Sequence, residues 1–251
     1  MNENRASALR SAHKNARMVG WDFESLRDKL VEDEPPWDFE ADSSAALASC
    51  NRAVDLGTGG GERLTKLLET SESNATIVAT EGWEPNVSVA RANLAPQGID
   101  VYPYHADRDS RLPLESGSQD LVMARHEAVD ASEIARVLVP GGRFLTQQVE
   151  VGDTEEILDW FGVQPTKAES LRTRYTKELE AAGLLIDVAE EWSGALVFLD
   201  AEALVTYLGF IPWYVPGFTV DDHLERLLEL ETQGPIRVTK RRSRIYATKR
   251  S

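Results

Sequence analysis

One stretch decides the fold of this chain: Arg52-Ala53-Val54-Asp55-Leu56-Gly57-Thr58-Gly59-Gly60-Gly61-Glu62. A short apolar run carries an acid near its end, a cluster of glycines follows, and leucines then recur at the spacing of a helix. This order of strand, tight loop and helix is typical of a ligand site at the carboxyl end of a parallel strand. Glycines let the backbone turn sharply there, and they let a ligand approach without a Cβ in the way.

The spacing of the glycines separates the candidate ligands. Gly57, Gly59 and Gly61 form G-x-G-x-G, whereas a dinucleotide fingerprint is G-x-G-x-x-G with the pyrophosphate at the helix N-terminus. Glu62 comes next, and its carboxylate would face a pyrophosphate, so the loop favours a ligand without phosphates. No Lys-Ser or Lys-Thr pair follows the glycines, which excludes a P-loop.

A second acid follows the next predicted strand. Residues 75–80 read as that strand, and Glu81 stands at its end, 20 residues beyond Gly61. This is the usual distance for a carboxylate that binds the hydroxyls of a ribose. A glycine loop with a ribose acid but without a phosphate cradle indicates S-adenosylmethionine as the ligand.

Three further motifs extend the pattern. With them, the chain resembles the class I S-adenosylmethionine-dependent methyltransferases, and among these the group called methyltransferase type 11. The motifs are Glu81–Asn86, Leu112–Val122 and Leu138–Leu145, the last with a Pro-Gly-Gly turn. The resemblance covers roughly residues 50 to 150. It implies an α/β fold, namely a doubly wound, mostly parallel, seven-stranded Rossmann-like sheet that ends in a late antiparallel strand.

The resemblance assigns eight residues to the cofactor: Asp55, Gly57, Thr58, Gly59, Glu81, Gly82, Asp107 and Arg125. Asp55 and the glycine loop are expected at the methionine end of S-adenosylmethionine, and Glu81 at the ribose. Asp107 fits the position that contacts the adenine amino group, although a loop acid without a ligand is the alternative. Arg125 has an alternative too, a structural ion pair with Glu127.

One histidine is the candidate catalytic residue. His126 follows the predicted strand 119–124, whose end faces the ligand crevice of an open parallel sheet. Imidazole titrates near neutrality, so His126 is the best candidate for a general base. Methyl transfer depends mainly on alignment of the reacting atoms, however, so the alternative is that His126 only positions the substrate or the cofactor.

Two glutamines and an aromatic segment are expected to bind the methyl acceptor. Gln147 and Gln148 end the predicted strand 143–149, and strand alternation points one of them away from the site. The second contribution comes from an aromatic-rich lid at residues 192–232, through Trp213 and Tyr214. A small satellite core that packs helices on the sheet edge is the alternative for this segment.

The N-terminal segment is predicted to be a helical cap. Residues 5–31 show helical stripes of apolar residues, and Pro35-Pro36 ends the pattern. We therefore expect a cap over residues 1–40 and a methyltransferase domain over residues 41–251. Closure of the cap over the crevice is expected to involve three aromatic residues, Trp21, Phe23 and Trp37.

Composition limits the cellular setting and the chemistry. The chain has 251 residues and one cysteine, Cys50, which excludes an internal disulfide and favours a reducing cytoplasm. No apolar run approaches the roughly 18 residues of a membrane span. No His/Cys cluster has the spacing of metal ligands, so we expect no metal. Cys50 precedes the first sheet strand, which argues against cysteine-dependent methylation of pyrimidine C5.

The charge of the chain bears on its partners. The formal net charge is −15, which disfavours polyphosphate partners in general. Residues 235–251 nevertheless hold seven Lys or Arg and no Asp or Glu. Because the chain as a whole is so acidic, the sequence favours a small-molecule methyl acceptor over nucleic acid despite this basic segment. An RNA or protein methyltransferase, and a non-catalytic protein that binds S-adenosylmethionine, remain as alternatives, and the sequence does not indicate an oligomeric state.

Overall fold

The computed structural model describes residues 2–16, 24–165 and 167–250. Its strands are β1 (Leu30–Glu32), β2 (Arg52–Leu56), β3 (Thr76–Glu81), β4 (Asp100–Pro103), β5 (Gln119–Arg125), β6 (Leu138–Val149), β7 (Leu184–Phe198) and β8 (Ile236–Lys249). Its α-helices are α1 (Asn2–Asn15), α2 (Phe39–Ala48), α3 (Glu62–Ser71), α4 (Glu84–Leu94), α5 (Ala131–Val137), α6 (Glu155–Trp160), α7 (Leu171–Ala181), α8 (Ala201–Phe210) and α9 (Leu224–Thr232). None of the helices in these described ranges is long and apolar enough to cross a membrane.

The strands follow the order β1-β7-β8-β6-β5-β2-β3-β4. The five strands from β2 to β6 pair in parallel, and β8 lies antiparallel to β6. The predicted α/β class and mostly parallel sheet are confirmed. The sheet has eight strands in the described residues, however, so the predicted number of seven is wrong.

The additional strand is β1, where the sequence predicts a helix over residues 5–31. Leu30–Glu32 pair antiparallel with Leu196–Phe198 of β7. The β-branched Val31 and the approach to Pro35-Pro36 favour extended backbone, and the β7 edge supplies hydrogen-bond partners. Helix α1 ends at Asn15, and Trp21 and Phe23 lie outside the described residues.

The chain divides into two compact units. The sheet unit comprises residues 36–151, 169–192 and 242–251, and the helical unit comprises residues 1–35, 152–168 and 193–241. The predicted boundary at residue 40 and the lid role of residues 192–232 stay predictions.

The core of the sheet unit forms two layers because strand residues alternate between faces. Ala53 of β2 packs on one face with Leu64 and Leu67 of α3. Val54, the next residue, packs on the other face with Ile134 of α5. The leucines of α3 form an apolar stripe that is buried against the sheet. This packing directs the N-terminus of α3 toward the loop after β2.

The helical unit has a core of its own, built from α1, α8, α9 and the start of β8. Leu9 of α1 is buried against Leu204 and Leu208 of α8. The Arg5 guanidinium pairs with the carboxylates of Glu202 and Glu231 at the edge of this core. Apolar burial and these ion pairs together fix α1 within the helical unit.

Candidate active site

The glycine loop joins β2 to α3 in the sheet unit. Gly57, Gly59 and Gly61 have φ angles of 65°, 65° and 89°, a region that side chains with a Cβ disfavour. A Cβ at Gly61 would also lie 2.8 Å from Leu94 Cγ. The loop therefore needs its glycines for backbone conformation and for packing against α4.

Glu81 ties the end of β3 to the glycine loop. Its Oε2 accepts a 2.6 Å hydrogen bond from the Gly59 N–H, and its Oε1 accepts a 2.7 Å bond from the Trp83 N–H. The neighbouring Thr80 carbonyl accepts a 2.8 Å bond from the Thr58 N–H. Burial raises the pKa of the Glu81 carboxyl, and the two backbone N–H donors oppose that rise. The predicted ribose acid thus lies directly beside the predicted glycine loop.

Asp55 lies at the base of the loop and is fully buried. Its Oδ1 accepts a 2.5 Å hydrogen bond from Arg63 of α3. Its Oδ2 is buried without a hydrogen-bond partner among the described residues. Burial raises the pKa of Asp55, and the charge of Arg63 opposes the rise.

Arg125 belongs to an ion-pair network that continues from Asp55. Glu40 of α2 lies 3.4 Å from Arg63 and 3.6 Å from the Arg125 guanidinium. Arg125 ends β5, so the network connects β2, α3, α2 and β5 at one edge of the sheet. Its predicted contact with the cofactor stays a prediction.

Gly82 and Asp107 lie around a histidine that the sequence does not single out. A Cβ at Gly82 would lie 2.8 Å from His105 Cδ2 and 2.9 Å from the Tyr104 carbonyl oxygen. The Asp107 N–H donates a 3.2 Å hydrogen bond to His105 Nδ1 in the turn that follows β4. Asp107 is exposed, and its predicted contact with adenine stays a prediction.

Glu127 lies beside the glycine loop, although the sequence pattern assigns no ligand to it. Its side chain lies against Gly57, and its Oε1 accepts a 3.1 Å hydrogen bond from the Ala128 N–H. Burial raises the pKa of Glu127, as do the charges of Glu81 and Asp107, whereas His105 lowers it. The only sequence feature that indicates Glu127 is its place directly after β5. Residues after β5 meet the loop after β2 at the same edge of the sheet.

His126 is held in an unusual backbone conformation directly after β5. Its φ is 60°, which is uncommon for a residue with a side chain. The His126 N–H donates a 2.8 Å bond to the Gln147 carbonyl oxygen, and His126 Nε2 lies 3.4 Å from Gln147 Nε2. Strain of this kind is concentrated at functional sites.

The two predicted acceptor glutamines point to different neighbours, as strand alternation requires. Gln147 Oε1 accepts a 2.7 Å hydrogen bond from the buried indole of Trp37. Gln148 Nε2 donates to Thr146 Oγ1 at 2.7 Å and to the Glu127 carbonyl oxygen at 2.9 Å. Both amides are buried and bonded to the protein, and their contact with an acceptor stays a prediction.

Trp213 and Tyr214 belong to the helical unit. Trp213 is 57% exposed. The Tyr214 hydroxyl donates a 2.7 Å bond to the Asp153 carbonyl oxygen and accepts a 2.9 Å bond from Thr154 Oγ1. Burial raises the pKa of Tyr214 to about 12. Their role in an acceptor pocket stays a prediction.

The residues around the loop suit S-adenosylmethionine. Asp55 has a buried oxygen without a partner, and each Glu81 oxygen accepts one bond here while retaining a further lone pair. Carboxylates attract the sulfonium and ammonium charges of this ligand and repel a diphosphate. No group of three or more His, Cys, Asp or Glu side chains able to hold a metal ion occurs in the described part of the chain.

Comparison with known families identifies the domain. Residues 53–142 match the profile of a family described as a methyltransferase domain. This match contains the glycine loop, Glu81, Asp107 and the residues after β5. None of the curated proteins matches the chain in sequence.

Solved structures share the fold. An inferred methyltransferase from Bacillus halodurans is 16% identical, with a TM-score of 0.60 over 85% of this chain and 99% of its own. The YcgJ protein from Bacillus subtilis is 17% identical, with a TM-score of 0.57 over 85% and 98%. A methyltransferase from Aquifex aeolicus that depends on S-adenosylmethionine is 14% identical, with a TM-score of 0.52 over 97% of both chains.

Domain and fold agree. Residues 53–142 match a methyltransferase domain, and the chain has the fold of the S-adenosylmethionine-dependent methyltransferases, as its motifs predict. At these identities the likeness to the solved structures concerns the fold alone.

Proposed function

We propose that the protein transfers the methyl group of S-adenosylmethionine to a small molecule. The observation that carries this proposal is the hydrogen bond between Glu81 and the Gly59 N–H, which joins the ribose acid to the glycine loop. The match of this region to a methyltransferase domain supports it.

The chain's own residues account for the choice of cofactor. S-adenosylmethionine supplies an electrophilic methyl group on a positively charged sulfur. Asp55, Glu81 and Glu127 place carboxylates around the loop, where low local dielectric strengthens attraction to a cation. This charge pattern favours the cationic cofactor over its neutral demethylated product, and so favours release of the product.

The basic C-terminal segment supports a small acceptor over a nucleic acid. Lys240 is buried, pairs with Glu32 at 2.8 Å and donates to the Asp33 carbonyl oxygen at 3.0 Å. Arg244 pairs with Asp42 at 3.0 Å and with Glu190 at 2.7 Å. These two cations therefore bind the protein itself, and the chain as a whole is acidic, with a formal net charge of −15.

Calorimetry tests the cofactor. We expect micromolar binding of S-adenosylmethionine or S-adenosylhomocysteine and no binding of a nicotinamide dinucleotide. Glu81→Ala should weaken binding by about 1–3 kcal/mol, the range for a charge-assisted hydrogen bond in a buried site. Glu69→Ala, which removes an exposed carboxylate of α3, is the matched control and should bind normally. Tight dinucleotide binding without a response to either S-adenosyl compound would disprove the proposal.

Turnover tests the acceptor. Release of S-adenosylhomocysteine should depend on a small organic molecule and not on added RNA or protein. Binding of RNA that falls steeply with salt would instead support the nucleic-acid alternative. Cofactor binding without turnover across acceptor classes would support the non-catalytic alternative.

A further inference from the structure

The side chain of Glu62 is folded back onto the glycine loop. A Cβ at Gly60 would lie 2.6 Å from Glu62 Oε2 and 2.7 Å from Glu62 Cδ, so the carboxyl group rests directly against the Gly60 backbone. Glu62 is exposed, and its carboxylate makes no hydrogen bond or ion pair with the described residues. Its charge is therefore open to a ligand that enters the loop.

The contact with Glu62 explains why residue 60 is a glycine. The other three glycines of the loop have positive φ angles, whereas Gly60 does not lie in the left-handed region that disfavours side chains. Its carbonyl oxygen accepts a 2.9 Å hydrogen bond from Asn93 Nδ2 of α4, which holds the loop at this point. A side chain at residue 60 would displace the Glu62 carboxyl group. Gly60 thus keeps a space that the carboxylate fills.

Helix α3 begins at the same carboxylate. The first N–H groups of a helix have no partner within it, and together with the helix dipole they make the N-terminus of a helix a place where phosphate binds. Gly61 is the N-cap residue of α3 and has no side chain to cap these groups. Glu62 is the first residue of α3 and sets a negative charge there. A phosphate at this end of the helix would be repelled, whereas a cation would be attracted.

The adjacent cation does not offset the charge of Glu62. The Arg63 guanidinium lies 2.5 Å from Asp55 Oδ1 and 3.4 Å from Glu40 Oε2, so two other carboxylates share it. The Arg63 side chain is only 18% exposed. Arg63 is therefore engaged within the protein and is not available to a phosphate.

We propose that Glu62 is a specificity-determining residue that keeps phosphorylated nucleotides out of the glycine loop. The loop then accepts an adenosine that carries a cationic group on its 5′ carbon, as S-adenosylmethionine does, and rejects one that carries a phosphate or diphosphate there. This assignment rests on the proposed function, since it takes the loop as the cofactor site. It adds the residue that separates the two classes of adenosine ligand.

Adenosine and ADP provide the test, because they differ only in the diphosphate. The ratio of their dissociation constants, measured by calorimetry, isolates the effect of the diphosphate on binding. We expect ADP to bind the wild type at least about tenfold more weakly than adenosine. Glu62→Gln keeps the size of the side chain and removes its charge, so it should lower this ratio about fivefold or more. Glu69→Gln, which removes an exposed carboxylate further along α3, is the matched control and should leave the ratio unchanged.

Gly60→Ala separates the position of the carboxylate from its charge. The new Cβ displaces the end of the flexible Glu62 side chain, and the φ of residue 60 is not left-handed, so we expect nearly wild-type stability in chemical denaturation. The negative charge stays in the protein but leaves its place on the loop. The ratio for this variant should therefore lie between those of the wild type and Glu62→Gln.

Inorganic phosphate gives a readout that does not depend on adenosine. In amide ¹H–¹⁵N spectra of the cofactor-free protein, phosphate should shift the signals of residues 57–64 in Glu62→Gln and leave those of the wild type nearly unchanged. A wild-type ratio in Glu62→Gln would overturn the proposal, and so would equal phosphate shifts in the two proteins. Calorimetry of the wild type with S-adenosylmethionine shows separately whether the proposed function itself fails.

Discussion

The side chain of Glu127 lies against Gly57, so that a Cβ at residue 57 would come within 2.4 Å of Glu127 Oε2. Glu127 follows β5 and Gly57 follows β2, two strands that pair in parallel. The absence of a side chain at Gly57, in the loop after β2, therefore leaves room for the Glu127 side chain from the segment after β5. Residue 57 is constrained twice, by its φ of 65° and by this contact.

Gly57→Ala is expected to destabilise the protein and to weaken cofactor binding. Alanine in the left-handed backbone region and the displacement of the Glu127 side chain should together lower the free energy of unfolding by about 1–3 kcal/mol, the usual range for local backbone strain. Chemical denaturation measures the stability, and calorimetry with S-adenosylmethionine measures the binding.

A second glycine supplies the control for this substitution. Gly98 has a φ of 71°, and a Cβ there would meet nothing within 4 Å. Gly98→Ala should therefore show the backbone cost alone and bind cofactor normally. Equal losses of affinity in the two variants would contradict a role for the contact between Gly57 and Glu127.

Glu127→Gln is expected to stabilise the cofactor-free protein at neutral pH. Burial raises the pKa of Glu127 in the folded state, so the folded protein binds this proton more readily than the unfolded chain does. Below the pKa that Glu127 has in the unfolded chain, its carboxyl is protonated in both states and does not lower the free energy of unfolding. As the pH rises through the pKa that it has in the folded protein, the buried carboxylate becomes charged and the free energy of unfolding falls. This loss of stability persists at pH 7. Removing that charge should add about 0.5–2 kcal/mol near neutrality.

The same variant should bind S-adenosylmethionine more weakly, because a carboxylate that attracts the cation is lost. Melting temperatures recorded between acidic and neutral pH test the stability, with the exposed Glu69→Gln as control. A gain in stability that is the same at every pH would argue against the buried charge as its source.

The local pattern around residues 52–81 allows the cofactor region to be predicted from the sequence. Strand β2, the glycine loop, α3 and the acid at residue 81 are contiguous, so short-range periodicity and turn chemistry define them. The structure places Glu81 and Gly59 in contact, as the spacing indicates. Helix α2 is not predicted, because its apolar positions lack a helical stripe and its cap is a single aspartate, Asp38.

Contacts between distant parts of the sequence are what the pattern does not reveal. Trp37 and Gln147 are 110 residues apart and meet only once α2 and β6 are in place. The pairing of β1 with β7 depends likewise on a distant strand edge. Such contacts depend on tertiary packing, which overrides the local helical signal at Leu30–Glu32, directly after a 3₁₀ helix over Glu24–Lys29.

Arg63→Met is expected to destabilise the protein strongly at neutral pH. Asp55 is fully buried, and Arg63 is its charge partner at 2.5 Å. Removal of one partner of a buried ion pair leaves an uncompensated charge and costs about 3–5 kcal/mol. Stability should recover toward acidic pH, because burial raises the pKa of Asp55 and its protonation then removes the charge.

The double variant Arg63→Met with Asp55→Asn isolates the charge. It should regain most of the lost stability at neutral pH, because neither buried group is then ionised. Denaturation curves of the two single variants and the double variant form a complete cycle. An additive cycle would show that the two side chains do not stabilise each other.

Gly209→Ala is expected to loosen α1 from α8 in the helical unit. A Cβ at Gly209 would lie 2.5 Å from Ala16 Cβ and 3.0 Å from the His13 carbonyl oxygen, so the chain at the end of α1 has no room to accept it. Helix propensity alone predicts the opposite sign, a gain of roughly 0.5–1 kcal/mol. Overpacking typically costs about 1–3 kcal/mol, so the net effect should be destabilising. Amide hydrogen exchange in residues 2–15 should become faster in Gly209→Ala. Adding Ala16→Gly removes the opposing Cβ, so the double variant should regain part of the protection from exchange. A Gly209→Ala protein that is more stable than the wild type would instead show that α1 moves aside without cost.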